Sequence, residues 1–223
     1  MHIIFDVDGT LVDSNDQHAS AWMDALAEAG FRVEFARVRS LIGKGGDKVL
    51  PELTGLSEDS PRGQRISTRR SEIFREQYLP GLHGFAGARA LVERLRADGH
   101  QLGIATSAKE EELQGLLQAA HVDDLFEHRA SSKDADRSKP DPDIIQAALD
   151  RMDAKASNAI MIGDTPYDLA AAARCGVRAI AFRSGGWRDA DLAGAIAIYD
   201  GPAHLLREYE RSALMYSTTE RTK

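Results

Sequence analysis

Two aspartates, Asp6 and Asp8, end an apolar run at the start of the chain, in the stretch FDVDGT. Ile3, Ile4 and Phe5 before them read as a buried strand. An unpaired buried charge is costly there, and two like charges cost more. A cation, a shared proton or a ligand has to neutralise them. Candidate groups lie at the ends of later apolar runs: Thr106 and Ser107 after QLGIA, Lys139 in the acidic stretch SKPDPD, Asp164 and Asp168 in GDTPYD. Side chains at i and i+2 of an extended backbone point the same way. Gly9 then permits a sharp turn, and Thr10 offers a hydroxyl and an amide to an anion. Four carboxylates (Asp6, Asp8, Asp164 and Asp168) in one crevice need a divalent cation besides Lys139. Oxygen-rich ligation of this kind suits Mg²⁺, which in turn can hold a phosphate.

Such groups converge only if the right elements carry them. Five short runs rich in Ile, Val and Ala recur, at 2–7, 101–106, 159–164, 178–183 and 195–199. Near-continuous apolar runs suit strands covered on both faces, as in parallel sheets. Helical patterns separate them: Leu91, Val92 and Leu95 share one face before Gly99, and Leu113, Leu116 and Leu117 repeat the spacing. Asp141 is placed to cap a helix whose first residue is Pro142. Alternating strand and helix predicts a doubly wound, Rossmann-like α/β sheet. Ligands of open α/β sheets sit at the carboxyl ends of the strands, where the residues above fall. The gap between the first two runs is longer than one crossover helix requires, and it is helical in pattern. The predicted organisation is a catalytic core over 1–14 and 81–212, a small α-helical cap over 15–80, and a frayed tail over 213–223.

Composition narrows the setting. The chain has 223 residues, of which 43% are hydrophobic, with a net charge of −7. Residues 14–80 hold ten basic and ten acidic side chains, so the acidity belongs to the framework. A basic nucleic-acid face is not expected. One cysteine, Cys175, excludes an intrachain disulfide and fits a reducing compartment. No run approaches a membrane span and no basic, then apolar, leader is visible. The expectation is a soluble cytoplasmic protein, monomer or homodimer, with no membrane or nucleic-acid partner.

The residues in FDVDGT, the Thr106–Ser107 strand end, Lys139 and GDTPYD together resemble, in order, the four motifs of the haloacid dehalogenase superfamily. The resemblance extends over nearly the whole chain and includes an insertion where many members carry a helical cap. It implies a Mg²⁺-dependent phosphatase acting on a small phosphorylated metabolite. Asp6 would be the nucleophile that forms an aspartyl-phosphate, and Asp8 the acid and then the base. Asp6, Asp164 and the backbone carbonyl of Asp8 would hold the metal. Gly9, Thr10, Thr106, Ser107 and Lys139 would hold the phosphate, and Asp168 would orient metal waters or Lys139. The presence of Asp8 points to phosphoryl transfer rather than carbon–halogen cleavage, which requires no leaving-group proton. The alternatives are a sugar-phosphate mutase of the β-phosphoglucomutase type and, behind it, a non-catalytic binding or regulatory module.

Within residues 15–80, Lys44 in IGKGG and His18 are the candidate substrate contacts. Trp22 shares a helix face with His18 and reads as packing. Arg69 and Arg70 read as solvent-facing, and Glu110–Glu112 as a solvated first helical turn.

Overall fold

The computed structural model describes residues 1–215. Its six strands are β1 (His2–Phe5), β2 (Gln101–Ala105), β3 (His128–Ala130), β4 (Ala159–Gly163), β5 (Arg178–Phe182) and β6 (Ala197–Tyr199). They form one sheet in the order β3-β2-β1-β4-β5-β6, with every pairing parallel. Strand order reverses at β1, which lies between β2 and β4. This is the Rossmann-like order, and it opens a crevice at the carboxyl ends of those strands. Five of the strands coincide with the apolar runs; β3, the sequence HRA, does not announce itself.

Alternation along β1 explains the two cores. Ile3 and Phe5 pack on one face with Ile104, Ile160, Ile162 and Phe182. Ile4 packs on the other with Met161, Ala105, Ala130, Ala179 and Ala181. Helices α5 (Ala88–Ala97), α6 (Glu110–Ala119), α7 (Asp143–Arg151), α8 (Pro166–Arg174) and α9 (Pro202–Arg207) cover the sheet, numbered after four helices that lie between β1 and α5. Those four are α1 (Asn15–Glu28), α2 (Phe35–Arg39), α3 (Gly46–Thr54) and α4 (Pro61–Ile73). A π-helical turn, Phe74–Tyr78, continues α4.

Several expectations change. Helix α7 starts at Asp143 with Pro142 at its N-cap; Asp141 instead pairs with Lys48 and Arg174, at 3.0 Å each. Fraying does not begin at 213, because Leu214 is fully buried; the rest of the expected tail, 216–223, lies outside the described residues. Cys175 closes α8 with its Sγ 3.5 Å from the Pro142 carbonyl oxygen. No helix among the described residues is long and apolar enough to cross a membrane.

Candidate active site

β1 and β4 run in register, with Phe5 opposite Ile162, and the Asp6 amide donates to the Ile162 carbonyl (2.9 Å). Asp6 and Asp164 therefore leave neighbouring strand ends side by side. The GDTPYD stretch folds as it does because Thr165 and Asp168 form a reciprocal capping box, with Pro166 at the first position of α8. The box turns Asp168 back toward the strand ends. One carboxylate oxygen from each of Asp6, Asp164 and Asp168 falls within a cluster whose members lie within 4.8 Å of one another.

The environment of each group is unusual. Lys139 is buried, and its Nζ donates to Asp6 Oδ1 (2.6 Å). It also lies 2.7 Å from Asp168 Oδ1. The one ammonium is thus shared between Asp6 and Asp168. Asp168 Oδ2 accepts from the Thr165 amide (3.0 Å) and hydroxyl (2.7 Å). Asp164 accepts from the Thr10 hydroxyl on one oxygen and from Asn15 Nδ2 on the other, both at 2.9 Å. Burial pushes the Asp6 carboxyl well above its ordinary range; Lys139 pulls it back, while Asp168, Asp164 and Asp8 push it further up. Burial, followed by the charge of Asp168, pushes Asp164 up to about 7, against its hydrogen bonds from Asn15 and Thr10. Burial works against the Lys139 charge, yet Asp168 and Asp6 raise its pKa above the usual lysine value.

Three crowded carboxylates that share one ammonium are short of positive charge. A hard divalent cation among oxygen donors fits this set. The same crowding predicts a measurable slope. A carboxyl whose folded pKa is raised contributes stability in acid that is lost as pH climbs through the folded value. In chelator, stability should fall by up to about 1.4 kcal/mol per pH unit for Asp164, from the ordinary carboxylate range to about 7. Adding Mg²⁺ should flatten the profile, and Asp164→Asn should remove this contribution. Urea unfolding across pH, with and without Mg²⁺, measures it; a flat profile in chelator would contradict the crowding.

The Asp8 side chain is not part of the carboxylate cluster; the ligand expected of this residue is its backbone carbonyl. Its side-chain Oδ1 accepts from the Ser14 hydroxyl (2.6 Å) and sits 2.7 Å from His18 Nε2. Burial tends to raise its pKa, but His18, Ser14 and Arg70 outweigh this and lower it. Thr10 and Gly9 are not free for an anion either. The Thr10 amide turns back to the Val7 carbonyl (3.2 Å) and that of Gly9 to Val12 (2.8 Å). Gly9 contributes by shape, since at φ 74° a side chain there would meet Asp164 Oδ2 at 2.2 Å.

A cavity of about 60 Å³ lies over Asp6 and Asp8, and it is also lined by Thr106, Ser107, Lys109, Lys44, Arg70 and Glu112. Thr106 Oγ1 accepts from the Ala108 amide (3.0 Å), and Ser107 Oγ reaches the Gly43 carbonyl (3.3 Å). The IGKGG loop closes one side; side chains at Gly43 and Gly45 would collide with Thr165 and Ser138. Lys44 pairs with Glu52 (2.5 Å) and lies 4.8 Å from the Tyr167 ring centroid, so its charge is already shared at the rim. Arg69 is half-buried, its guanidinium on Glu28 and Glu72 at the surface. Arg70 and Glu112 are not solvent-facing as expected: both are buried, and they bind each other. Sequence reasoning also missed Asn15, and nothing in its local sequence marks it as a partner of Asp164.

Residues 3–182 match the family of haloacid dehalogenase-like hydrolases. The chain belongs to this family. It is a hydrolase, and the α/β fold and four-motif resemblance stand with it. The chain is 31% identical over 213 residues to a phosphoglycolate phosphatase of Rhodospirillum rubrum, covering 91% of this chain and 88% of that protein. The crystal structure of a hydrolase from Pseudomonas syringae superposes with a TM-score of 0.88 at 29% identity, over 96% of this chain and 99% of the other. A β-phosphoglucomutase from Clostridium difficile superposes at 0.79 with 18% identity, over 98% and 97% of the two chains. The last likeness concerns the fold alone.

Proposed function

We propose that the protein is a Mg²⁺-dependent phosphatase that hydrolyses a small phosphorylated metabolite through an aspartyl-phosphate on Asp6. The observation that carries this reading is Asp6 itself. It is a buried carboxylate at the floor of a cavity, next to Lys139 on one side and Asp164 on the other. The phosphoglycolate phosphatase relative supports the substrate class.

In this reading an oxygen of Asp6 attacks phosphorus, and the ester P–O bond breaks on the opposite side. The departing oxygen takes a proton from Asp8, whose pKa is lowered in the free protein and which therefore has to take that proton up as the anionic substrate binds beside it. Both hydrogen bonds to Asp8 fall on Oδ1, which leaves Oδ2 for the leaving group. Asp8, now a carboxylate, removes a proton from water as that water attacks the aspartyl-phosphate; inorganic phosphate leaves and Asp6 is restored. Asp6, Asp164 and the Asp8 carbonyl would hold Mg²⁺, whose positive charge would let an anionic nucleophile approach an anionic ester. Asp168 keeps Lys139 in place rather than ligating directly, because its oxygens are already engaged by Thr165 and Lys139. Lys139, Thr106 and Ser107 hold the transferring oxygens. Residues 15–80 act as a cap that closes over the site and keeps water from the first step.

The test is phosphate release from a panel of phosphorylated metabolites, with Mg²⁺ or chelator. Release should require Mg²⁺, and Asp164→Asn should raise the Mg²⁺ concentration for half-maximal rate by about tenfold or more, in the range reported for disturbed metal shells. Unchanged metal dependence would remove Asp164 from the ligand set. Interconversion of a hexose 1-phosphate and 6-phosphate without phosphate release would replace hydrolysis by the mutase reading.

A further inference from the structure

Three buried side chains, Glu112, Arg70 and His18, connect α6 to Asp8 through the inserted helices. Glu112, on the first turn of α6, is fully buried, and Arg70 Nη1 donates to both of its oxygens, at 2.7 and 2.9 Å. Arg70 stands on α4, so this ion pair joins the inserted helices to the sheet-covering helices. Arg70 Nη2 contacts His18 Nδ1 on α1, and His18 Nε2 reaches Asp8. The aromatic setting fixes the geometry. The His18 ring stacks on Phe74, centroids 3.9 Å apart at 11°. The Arg70 guanidinium lies 5.2 Å from the Phe74 ring and 5.7 Å from that of Trp22.

This geometry decides a proton position. A guanidinium only donates, so His18 Nδ1 must accept from Arg70. The ring proton then lies on Nε2, aimed at Asp8 Oδ1. The contact between His18 and Asp8 is a directed hydrogen bond from one tautomer, and Arg70 is what selects that tautomer. Arg70 is itself aimed by Glu112, which belongs to the other side of the cavity. If the inserted helices swing away, Arg70 leaves Glu112 and the chain of contacts loses its outer anchor.

We propose that Arg70 and Glu112 form a closure latch that acts through His18 to position Asp8 for proton transfer to the leaving group. This deepens the phosphatase reading above and rests on it. Arg70, Glu112 and His18 are positioning residues; none of them exchanges a bond with substrate. The latch makes proton delivery coincide with closure. The acid is correctly aimed only when the segment that excludes water is seated.

The experiment compares two classes of phosphomonoester. An alkyl ester needs a proton on its departing oxygen; p-nitrophenyl phosphate, with a stable phenolate, does not. The parameter is kcat/KM, which covers steps up to leaving-group departure. Asp8→Asn sets the reference and should lose at least about 10²-fold more on the alkyl ester than on the aryl ester, as general acid catalysis requires. Arg70→Met and Glu112→Gln should show the same selective loss, about tenfold or more, and the double variant should lose little beyond either single one. Equal losses on both esters, or none, in folded variants would reduce the latch to packing and overturn the proposal. A reference variant without the selective loss would instead overturn the role of Asp8. Closure has its own readout. In a Trp187→Phe background, Trp22 is the only tryptophan, and it is buried where it lines the cavity. Glu112→Gln should at least double its acrylamide quenching constant without lowering circular dichroism; unchanged quenching would overturn the latch even if activity is lost.

Discussion

Asp6→Asn should lower phosphate release by at least about 10⁴-fold, the scale expected when a covalent nucleophile is removed, without unfolding the protein. The two halves of this expectation have one physical source. Asp6 is buried against Asp168, Asp164 and Asp8, and its carboxyl is driven toward the protonated form despite Lys139. An amide of the same shape carries none of that repulsion, and Lys139 keeps Asp168 as partner. Thermal unfolding in chelator should therefore show a midpoint equal to or above wild type. The catalytic loss should also resist excess Mg²⁺, unlike that of Asp164→Asn, since an amide nitrogen or oxygen cannot replace the carboxylate as nucleophile. A residual rate within tenfold of wild type would remove Asp6 from that role. A large drop in the melting midpoint would show that its charge serves the fold.

Each carboxylate of the site has its own neighbours that hold it in place. Thr10 and Asn15 each hold one oxygen of Asp164; Thr165 holds Asp168, which lies beside Lys139. Ser14 and His18 hold one oxygen of Asp8. Each carboxylate is thereby fixed by short-range donors before any substrate arrives, which is the preorganisation that electrostatic catalysis needs.

The strand ends were legible because parallel strands are covered on both faces and read as unbroken apolar runs, so the polar residue that follows each run marks the crevice. β3 escaped because it is three residues long and carries His128 and Arg129, which leaves no run to see. Arg70 and Glu112 escaped for a different reason. A charged residue on a helix is usually exposed, and the exception depends on a partner 42 residues away, which no local pattern encodes. Thr10 was misread in the same manner: its hydroxyl suits an anion, but the carboxylate it binds lies 154 residues further on. Spacing reveals which chemistry is present. Long-range pairing decides which polar groups stay open to a ligand and which are already engaged, as with Thr10 on Asp164.

Lys139→Met tests the balance of charge on which the site depends. Breaking a buried ion pair from one side leaves an uncompensated charge and typically costs about 3–5 kcal/mol; here one ammonium serves two buried carboxylates, Asp6 and Asp168. At neutral pH in chelator the variant should be destabilised by about that amount. The sign of the pH dependence follows from what remains. Without Lys139, the one group that pulls the raised Asp6 carboxyl back down is gone, so Asp6 binds its proton still more tightly in the folded state than in the unfolded chain and stability should return as pH falls. Mg²⁺ should restore part of it at neutral pH by supplying the missing charge. Activity should not return with it, since methionine offers no donor to the transferring oxygens, and a loss of about 10²–10³-fold is expected. Urea unfolding at neutral and acidic pH, with and without Mg²⁺, separates the outcomes. A wild-type midpoint in chelator at neutral pH would mean that the ammonium is not what keeps these carboxylates buried, and the reason for their burial would then have to be sought in shared protons among Asp6, Asp164 and Asp168.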